Sequence, residues 1–97
     1  MNISNANRKK YTPMTGELLE TMSAAKALAA VPDDALYALI TASVQHVNFT
    51  DNATVPSATH GIRINSTDAP FWYTGDLGRL RFIELASGAK VYVQYYK

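Results

Sequence analysis

From residue 35 to the end of the chain, apolar residues come in short runs that turn-forming residues separate. The turn signals recur about every 8 to 12 residues, a spacing typical of a β-sandwich or a small barrel. The run 35–40 is continuously apolar, which predicts a strand buried on both faces. In the last run, alternation puts Val91, Val93 and Tyr95 on one face. We therefore expect strands at residues 35–40, 44–49, 61–64, 71–73, 80–85 and 91–96.

Residues 17–31 allow two interpretations. They are rich in Glu, Leu, Met, Ala and Lys, which favour helices. In a helix, four small or apolar residues would share one face: Leu18, Met22, Ala25 and Ala29. Alternatively, a turn at residues 23–25 joins two strands, at residues 18–22 and 27–31. We favour strands because the other segments are strand-like and their sheet needs partners, and because of the resemblance described below.

The predicted fold class is all-β: a small antiparallel β-sandwich, jelly-roll-like, with an extended N-terminal arm. Residues 1–14 form the predicted arm, which we expect to be flexible because it lacks apolar periodicity. The positive charges of this arm come from Arg8, Lys9 and Lys10. Residues 15–97 form the predicted sandwich domain, since a chain of 97 residues has no room for a second core.

Composition narrows the classes of function. Hydrophobic residues make up 47% of the chain and charged residues 18%, which is typical of globular proteins. A formal net charge of +1 argues against a nucleic-acid surface, except through the basic arm. The absence of cysteine excludes disulfides and thiolate metal sites. The apolar runs are too short to cross a bilayer and the polar start lacks a secretory signal, so we expect a cytoplasmic product without membrane contact.

The residues that could carry catalysis do not form a recognisable pattern. His46 and His60 are the natural bases near neutral pH, but no serine or threonine lies in a nucleophile elbow beside them. A metal site built from Asp51, His60 and Asp68 would lack the ligand spacing that forces convergence. We therefore expect neither an enzyme nor a bound cofactor.

Aromatic residues are the more informative candidates for function. The runs 71–73 and 92–96 are rich in rings that could stack on sugars or bases, or anchor a protein interface. The basic arm suggests contact with a neighbouring protein. Our candidate residues for a protein interface are Arg8, Lys9, Lys10, Tyr11, Trp72 and Tyr73.

The second half of the chain resembles a known group of proteins. The resemblance rests on VNFTDNATVPSATHGIRI at 47–64, APFWYTGDLGRLRFIE at 69–84 and the ending AKVYVQYYK. Its most specific parts are WYTGDL at 72–77, RFI at 81–83 and the closing pair of tyrosines. With these segments, residues 21–97 resemble small β-sandwich virion proteins encoded among the structural genes of tailed bacteriophages and prophages. The chain departs from the group at VNFTDN, where the group has V-R-W-R-D-D-G, and at VYVQYY, where it has L-N-V-S-Y-Y.

This resemblance implies a non-enzymatic virion structural protein, made in the host cytoplasm. It favours a capsid decoration or cement protein that binds the shell lattice as an oligomer, with the major capsid protein or other virion proteins as partners. Two alternatives stay open: a head-tail connector or tail component, and a carbohydrate-binding receptor module of a tail that uses Trp72, Tyr73 or Tyr92 as stacking surfaces.

Overall fold

The computed structural model describes residues 10–97, which contain eight β-strands, one 3₁₀ turn and no α-helix. This confirms the all-β prediction, and no helix in the described part of the chain could cross a membrane. The 3₁₀ turn, Leu77–Arg79, is capped by Asp76, whose carboxylate accepts a hydrogen bond of 3.0 Å from the Gly78 amide. The strands are β1 (Pro13–Leu19), β2 (Lys26–Ala27), β3 (Tyr37–Ser43), β4 (Val47–Thr50), β5 (Ile62–Ile64), β6 (Phe71–Tyr73), β7 (Arg81–Glu84) and β8 (Lys90–Tyr96).

The strands form two antiparallel sheets of four strands each. The first sheet has the order β1-β8-β3-β6, and the second has the order β2-β7-β4-β5. Pairing is nested along the chain: β1 pairs with β8, β2 with β7, β3 with β6 and β4 with β5. Two further pairs, β3 with β8 and β4 with β7, complete the sheets. This arrangement is compatible with a small β-sandwich.

One hydrophobic core lies between the two sheets. In the first sheet, Val91, Val93 and Tyr95 share the inward face of β8 and are fully buried, which confirms their predicted alternation. The rings of Phe49 in β4 and Phe71 in β6 stack with centroids 5.9 Å apart, so this contact joins the two sheets. The core members are Leu19, Met22, Ala38, Ile40, Ala42, Val47, Phe49, Ile64, Leu77, Leu80, Phe82, Ala89, Val91, Val93 and Tyr95.

Residues 17–31 contain no helix, so the helical alternative is wrong. The strand interpretation is confirmed only in part, because within the predicted strands 18–22 and 27–31 only residues 18, 19 and 27 lie in strands. β1 begins at residue 13 rather than 18, and β2 has two residues only. Pairing of β1 with β8 and burial of Leu19 and Met22 stabilise the extended chain. These tertiary contacts outweigh helix propensity, which amounts to less than about 1 kcal/mol per residue.

The prediction that residues 35–40 form a strand buried on both faces is wrong. β3 spans Tyr37–Ser43, and burial alternates along it: Ala38, Ile40 and Ala42 are buried, whereas the residues between them are only half-buried. The reason is that this sheet packs against the core with one face only.

The first described residues form the beginning of the first sheet. Pro13 and Met14, assigned to the arm by the sequence analysis, belong to β1. The main chain of Thr12 exchanges two hydrogen bonds with Lys97, of 2.7 and 3.0 Å. Lys10 is exposed. Arg8 and Lys9 lie outside the described residues, as does the rest of segment 1–9.

The connection between β4 and β5 covers part of the outer face of the second sheet. The Asn48 side chain donates a hydrogen bond to the Ser57 carbonyl (2.9 Å), and the Thr50 hydroxyl donates one to the Thr54 carbonyl (2.5 Å). Asn48 and Thr50 are therefore only 5% and 7% exposed, although they point away from the core. The connection returns at Gly61, where φ is +136° and a Cβ would lie 2.9 Å from a main-chain oxygen of β4.

Candidate interaction surface

The outer face of the first sheet is not covered in this way. We call it the open face, and it consists of the outward side chains of β1, β8, β3 and β6 together with Tyr11. Register pairs place these residues side by side, for example Leu18 beside Tyr92 and Leu39 beside Trp72. At one end the open face includes Ser43 and its register partner Lys90. Its other members carry no charge: Tyr11, Pro13, Gly16, Leu18, Tyr37, Leu39, Thr41, Trp72, Tyr92, Gln94 and Tyr96.

Four rings form an aromatic cluster at one end of the open face. Tyr11 stacks on Trp72 with ring centroids 5.1 Å apart and an interplanar angle of 28°. Tyr96 approaches Trp72 edge-on at 4.8 Å, and Tyr37 approaches Tyr11 edge-on at 4.9 Å. Such ring pairs contribute about 0.5–1.5 kcal/mol each beyond the area they bury. The cluster therefore holds the chain on the sheet at residue 11.

A polar network lies at the centre of the open face. The Tyr92 hydroxyl donates to the Gln94 side-chain oxygen (2.9 Å), and the Gln94 amide donates to the Met14 carbonyl (2.6 Å). Gly16 provides the space for the Tyr92 ring, since a Cβ at residue 16 would lie 2.9 Å from its Cζ atom. The network fixes the tyrosine and glutamine side chains.

Ion pairs stand at the two ends of the open face. Lys90 contacts Glu20 at 3.5 Å at one end, and Lys97 contacts Asp34 at 2.8 Å at the other. Hydrogen bonding to the Lys97 ammonium is the main reason why the pKa of Asp34 lies below its ordinary value. Charged residues are depleted from the centres of protein interfaces, and the open face likewise has its ion pairs at the ends.

The structure brings together only some of the residues proposed from sequence. Tyr11 and Trp72 are in contact, and both are nearly half exposed. Tyr73 points the other way, packs against the core and donates a hydrogen bond to the Asp51 carboxylate (3.2 Å). Burial, and then the charge of Asp51, raise the pKa of the Tyr73 hydroxyl. Tyr73 is therefore not part of the open face.

The two histidines have separate structural contacts. His46 Nδ1 accepts a hydrogen bond from the Ser66 amide (3.0 Å), whereas the main chain of His60 pairs with Ser57. The Asp68 carboxylate accepts from the Asn65 amide (3.0 Å). Within residues 10–97, no group of three or more histidine, aspartate or glutamate side chains could hold a metal ion.

Sequence reasoning did not select several members of the open face. Tyr37 and Leu39 were not named as interface candidates, Tyr96 was named only within the aromatic run 92–96, and Leu18 only within the alternatives for residues 17–31. The useful signal was that, apart from Lys90, the outward positions of three long strands carry no charge. That signal is visible only once the pairing of β1 with β8 and β3 is known.

Comparison of the chain with protein-family models, with curated proteins and with solved structures finds no match. The resemblance to virion proteins therefore stays a prediction from the sequence.

Proposed function

We propose that this protein is a non-enzymatic structural component of a tailed-bacteriophage virion, a decoration or cement protein that binds the capsid lattice as an oligomer. The resemblance of residues 21–97 to small virion proteins supports this function. The observation that carries the proposal is the open face, because the largest apolar patch on the surface of a monomeric protein is often functional. Trp72 and three tyrosines at one end of it are the residue types that most often anchor interfaces.

We further propose that the sandwich is a jelly roll. If a chain of eight strands folds as one long hairpin, strand n pairs with strand 9 − n, and wrapping this hairpin produces two four-stranded sheets. The observed pairs β1·β8, β2·β7, β3·β6 and β4·β5 follow this rule. Jelly rolls recur in viral capsid proteins and in lectins, which supports a virion role without establishing it.

Quantitative mass spectrometry of purified particles tests the proposed location. We expect the chain in the particles at a copy number that is a multiple of the shell symmetry, since a cement protein repeats with the lattice. A copy number equal to that of the portal or the tail would instead support the head-tail or tail alternative. Absence of the chain from assembled particles would contradict a virion role altogether.

A second experiment tests the basic arm. Because Tyr11 and Thr12 contact the folded domain, the arm is best altered by substitution before residue 11. We expect the triple variant Arg8→Ser, Lys9→Ser, Lys10→Ser to detach from particles at lower salt than the wild type. The matched control replaces three basic residues of the folded domain by serine, Lys26, Arg63 and Arg79, and should detach at the same salt concentration as the wild type. Equal retention of the triple variant and the wild type would exclude the arm as a contact.

A carbohydrate-binding tail module is the second candidate, and exposed Trp72 and Tyr92 favour it. Tyr11 already stacks on Trp72, which leaves less ring surface for a sugar. Trp72 is the only tryptophan, so its fluorescence reports directly on ligands. This candidate predicts quenching by at least one member of a glycan panel, lost in Trp72→Ala and retained in Val55→Ala. If no glycan in the panel quenches the fluorescence, the carbohydrate-binding function is excluded.

A further inference from the structure

The two sheets differ in what covers their outer faces. The β4–β5 connection covers part of the second sheet, and its central polar side chains are hydrogen-bonded to that connection. The open face of the first sheet has no such layer among residues 10–97, and it keeps Leu18, Trp72 and Tyr92 each about half exposed. Four of the eight exposed large hydrophobic side chains within residues 10–97 lie on this face, and an apolar patch on one sheet face is often an interaction site.

The open face is large enough for a small specific interface. Burial of a whole aromatic side chain removes about 150–250 Å² from solvent, so Tyr11, Trp72 and Tyr92 at roughly half exposure offer about 300 Å². Leu18 and the half-buried residues between these rings also contribute exposed area. If their side-chain areas are scaled by their exposed fractions in the same way, the exposed area of the open face is roughly 500–600 Å². Two such faces together bury about 1,000–1,200 Å², which reaches the lower limit of specific interfaces.

The charge distribution selects the occupant. Apart from Lys90, which pairs with Glu20 at one end, the strands of the open face present no lysine or arginine for a nucleic acid or an acidic protein, and no carboxylate for a basic one. In a two-fold contact the residues near the axis meet their own copies, so a charge there would be repelled by the same charge of the second copy. The uncharged centre of the open face avoids this repulsion, because the ion pairs Glu20–Lys90 and Asp34–Lys97 lie at the ends of the sheet.

We propose that the open face is a two-fold contact between two copies of this chain. The central rows, with Leu39 and Gln94, lie against the same rows of the second copy, and the aromatic cluster becomes buried with them. The modest area predicts a dimer that dissociates on dilution. This inference names the surface by which the oligomer of the proposed function forms, and it rests on that part of the proposal.

Sedimentation velocity of the purified full-length chain, over a concentration range from about 1 to 300 μM, tests the contact. We expect a concentration-dependent species of twice the monomer mass, with a blue shift of Trp72 fluorescence as it forms. In the double variant Leu18→Lys, Thr41→Lys, four positive charges meet across the contact. We expect its dissociation constant to rise at least about 100-fold, because like charges in an interface cost several kcal/mol.

The control is Val55→Lys, which adds one positive charge per chain at an exposed apolar residue (72%) of the β4–β5 connection. It should dimerise like the wild type. Trp72→Lys tests the opposite edge of the face and should also give monomers, and far-UV circular dichroism checks that each variant is folded.

A wild type that is monomeric throughout, or charged variants that dimerise as well as the wild type, would overturn the inference. If the protein is monomeric but still binds particles, the two-fold contact is wrong and the virion role is supported. If it dimerises through the open face but is absent from particles, the contact is supported and the virion role is wrong.

Discussion

The strongest prediction on stability concerns Glu17, whose carboxylate joins three parts of the chain. It lies in β1 and accepts hydrogen bonds from the main-chain amides of Ala29 (3.1 Å) and Ala30 (3.0 Å). It also accepts a short hydrogen bond from the Tyr95 hydroxyl at the end of β8. Tyr95 is fully buried, so Glu17 is the contact that satisfies its hydroxyl group. We predict that Glu17→Ala and Tyr95→Phe destabilise the fold and that their effects are coupled.

The magnitudes follow from which groups each substitution leaves unpaired. Tyr95→Phe removes one hydrogen bond to a charged acceptor that keeps its two amide donors, at a cost of about 1–2 kcal/mol. Glu17→Ala removes all three bonds and leaves a buried hydroxyl unsatisfied, so we expect a loss of about 3–4 kcal/mol. In the Tyr95→Phe background the orphaned hydroxyl is absent, so Glu17→Ala should cost about 1–2 kcal/mol less.

Urea unfolding followed by far-UV circular dichroism measures all four members of this double-mutant cycle. Thermal unfolding should agree, with a fall of about 4–8 °C per kcal/mol for a domain of this size. Glu20→Ala is the matched control, because Glu20 makes only an exposed ion pair with Lys90, and its loss should cost less than about 1 kcal/mol. A coupling energy below about 0.5 kcal/mol would refute the reasoning, since independent sites add within that range.

The same contact predicts the behaviour of the protein at high pH. Burial first, and then the Glu17 carboxylate, raise the pKa of Tyr95 above its ordinary value of 10.0. In the unfolded chain Tyr95 loses its proton near that value, whereas in the folded chain it keeps it. The free energy of unfolding should therefore fall as pH rises above about 10, and it should fall less steeply in Tyr95→Phe. Equal slopes for the two proteins would contradict this.

Three further predictions follow from single positions. Val44 is β-branched yet has φ of +72°, so Val44→Gly should raise the free energy of unfolding by about 1 kcal/mol, measured by urea unfolding. Gly16→Ala should lower it by about 1–3 kcal/mol, because the new Cβ would lie 2.9 Å from the Tyr92 ring and from a main-chain oxygen of β8; an unchanged midpoint would contradict this. The pKa of the Asp34 carboxyl, measured by NMR titration, should lie below its ordinary value of 3.8 and should return towards that value in Lys97→Gln. The contribution of this ion pair to the free energy of unfolding should be present above pH 3.8 and should be lost as pH falls through the lowered pKa.

Local sequence patterns were sufficient to predict which side chains are buried in a strand that has one buried and one exposed face. In β8 the alternation of Val91, Val93 and Tyr95 predicted the buried face because side chains in a strand point to opposite sides in turn. The run 71–73 was likewise predicted as a strand, and Trp72 and Tyr73 then necessarily point to opposite sides. Trp72 and Tyr11 were both candidates, but their stacking joins residues 61 positions apart and no local pattern contains it.

The sequence by itself determined that the chain is all-β, where most turns fall and which residues could anchor an interface, because these depend on neighbouring residues. Tertiary structure decided the rest. It formed β1 and the short β2 by pairing them with β8 and β7, and it left β3 half-buried because the first sheet packs on one side only. It also gathered the uncharged positions of four strands into the open face, since a surface is defined by which distant strands become neighbours.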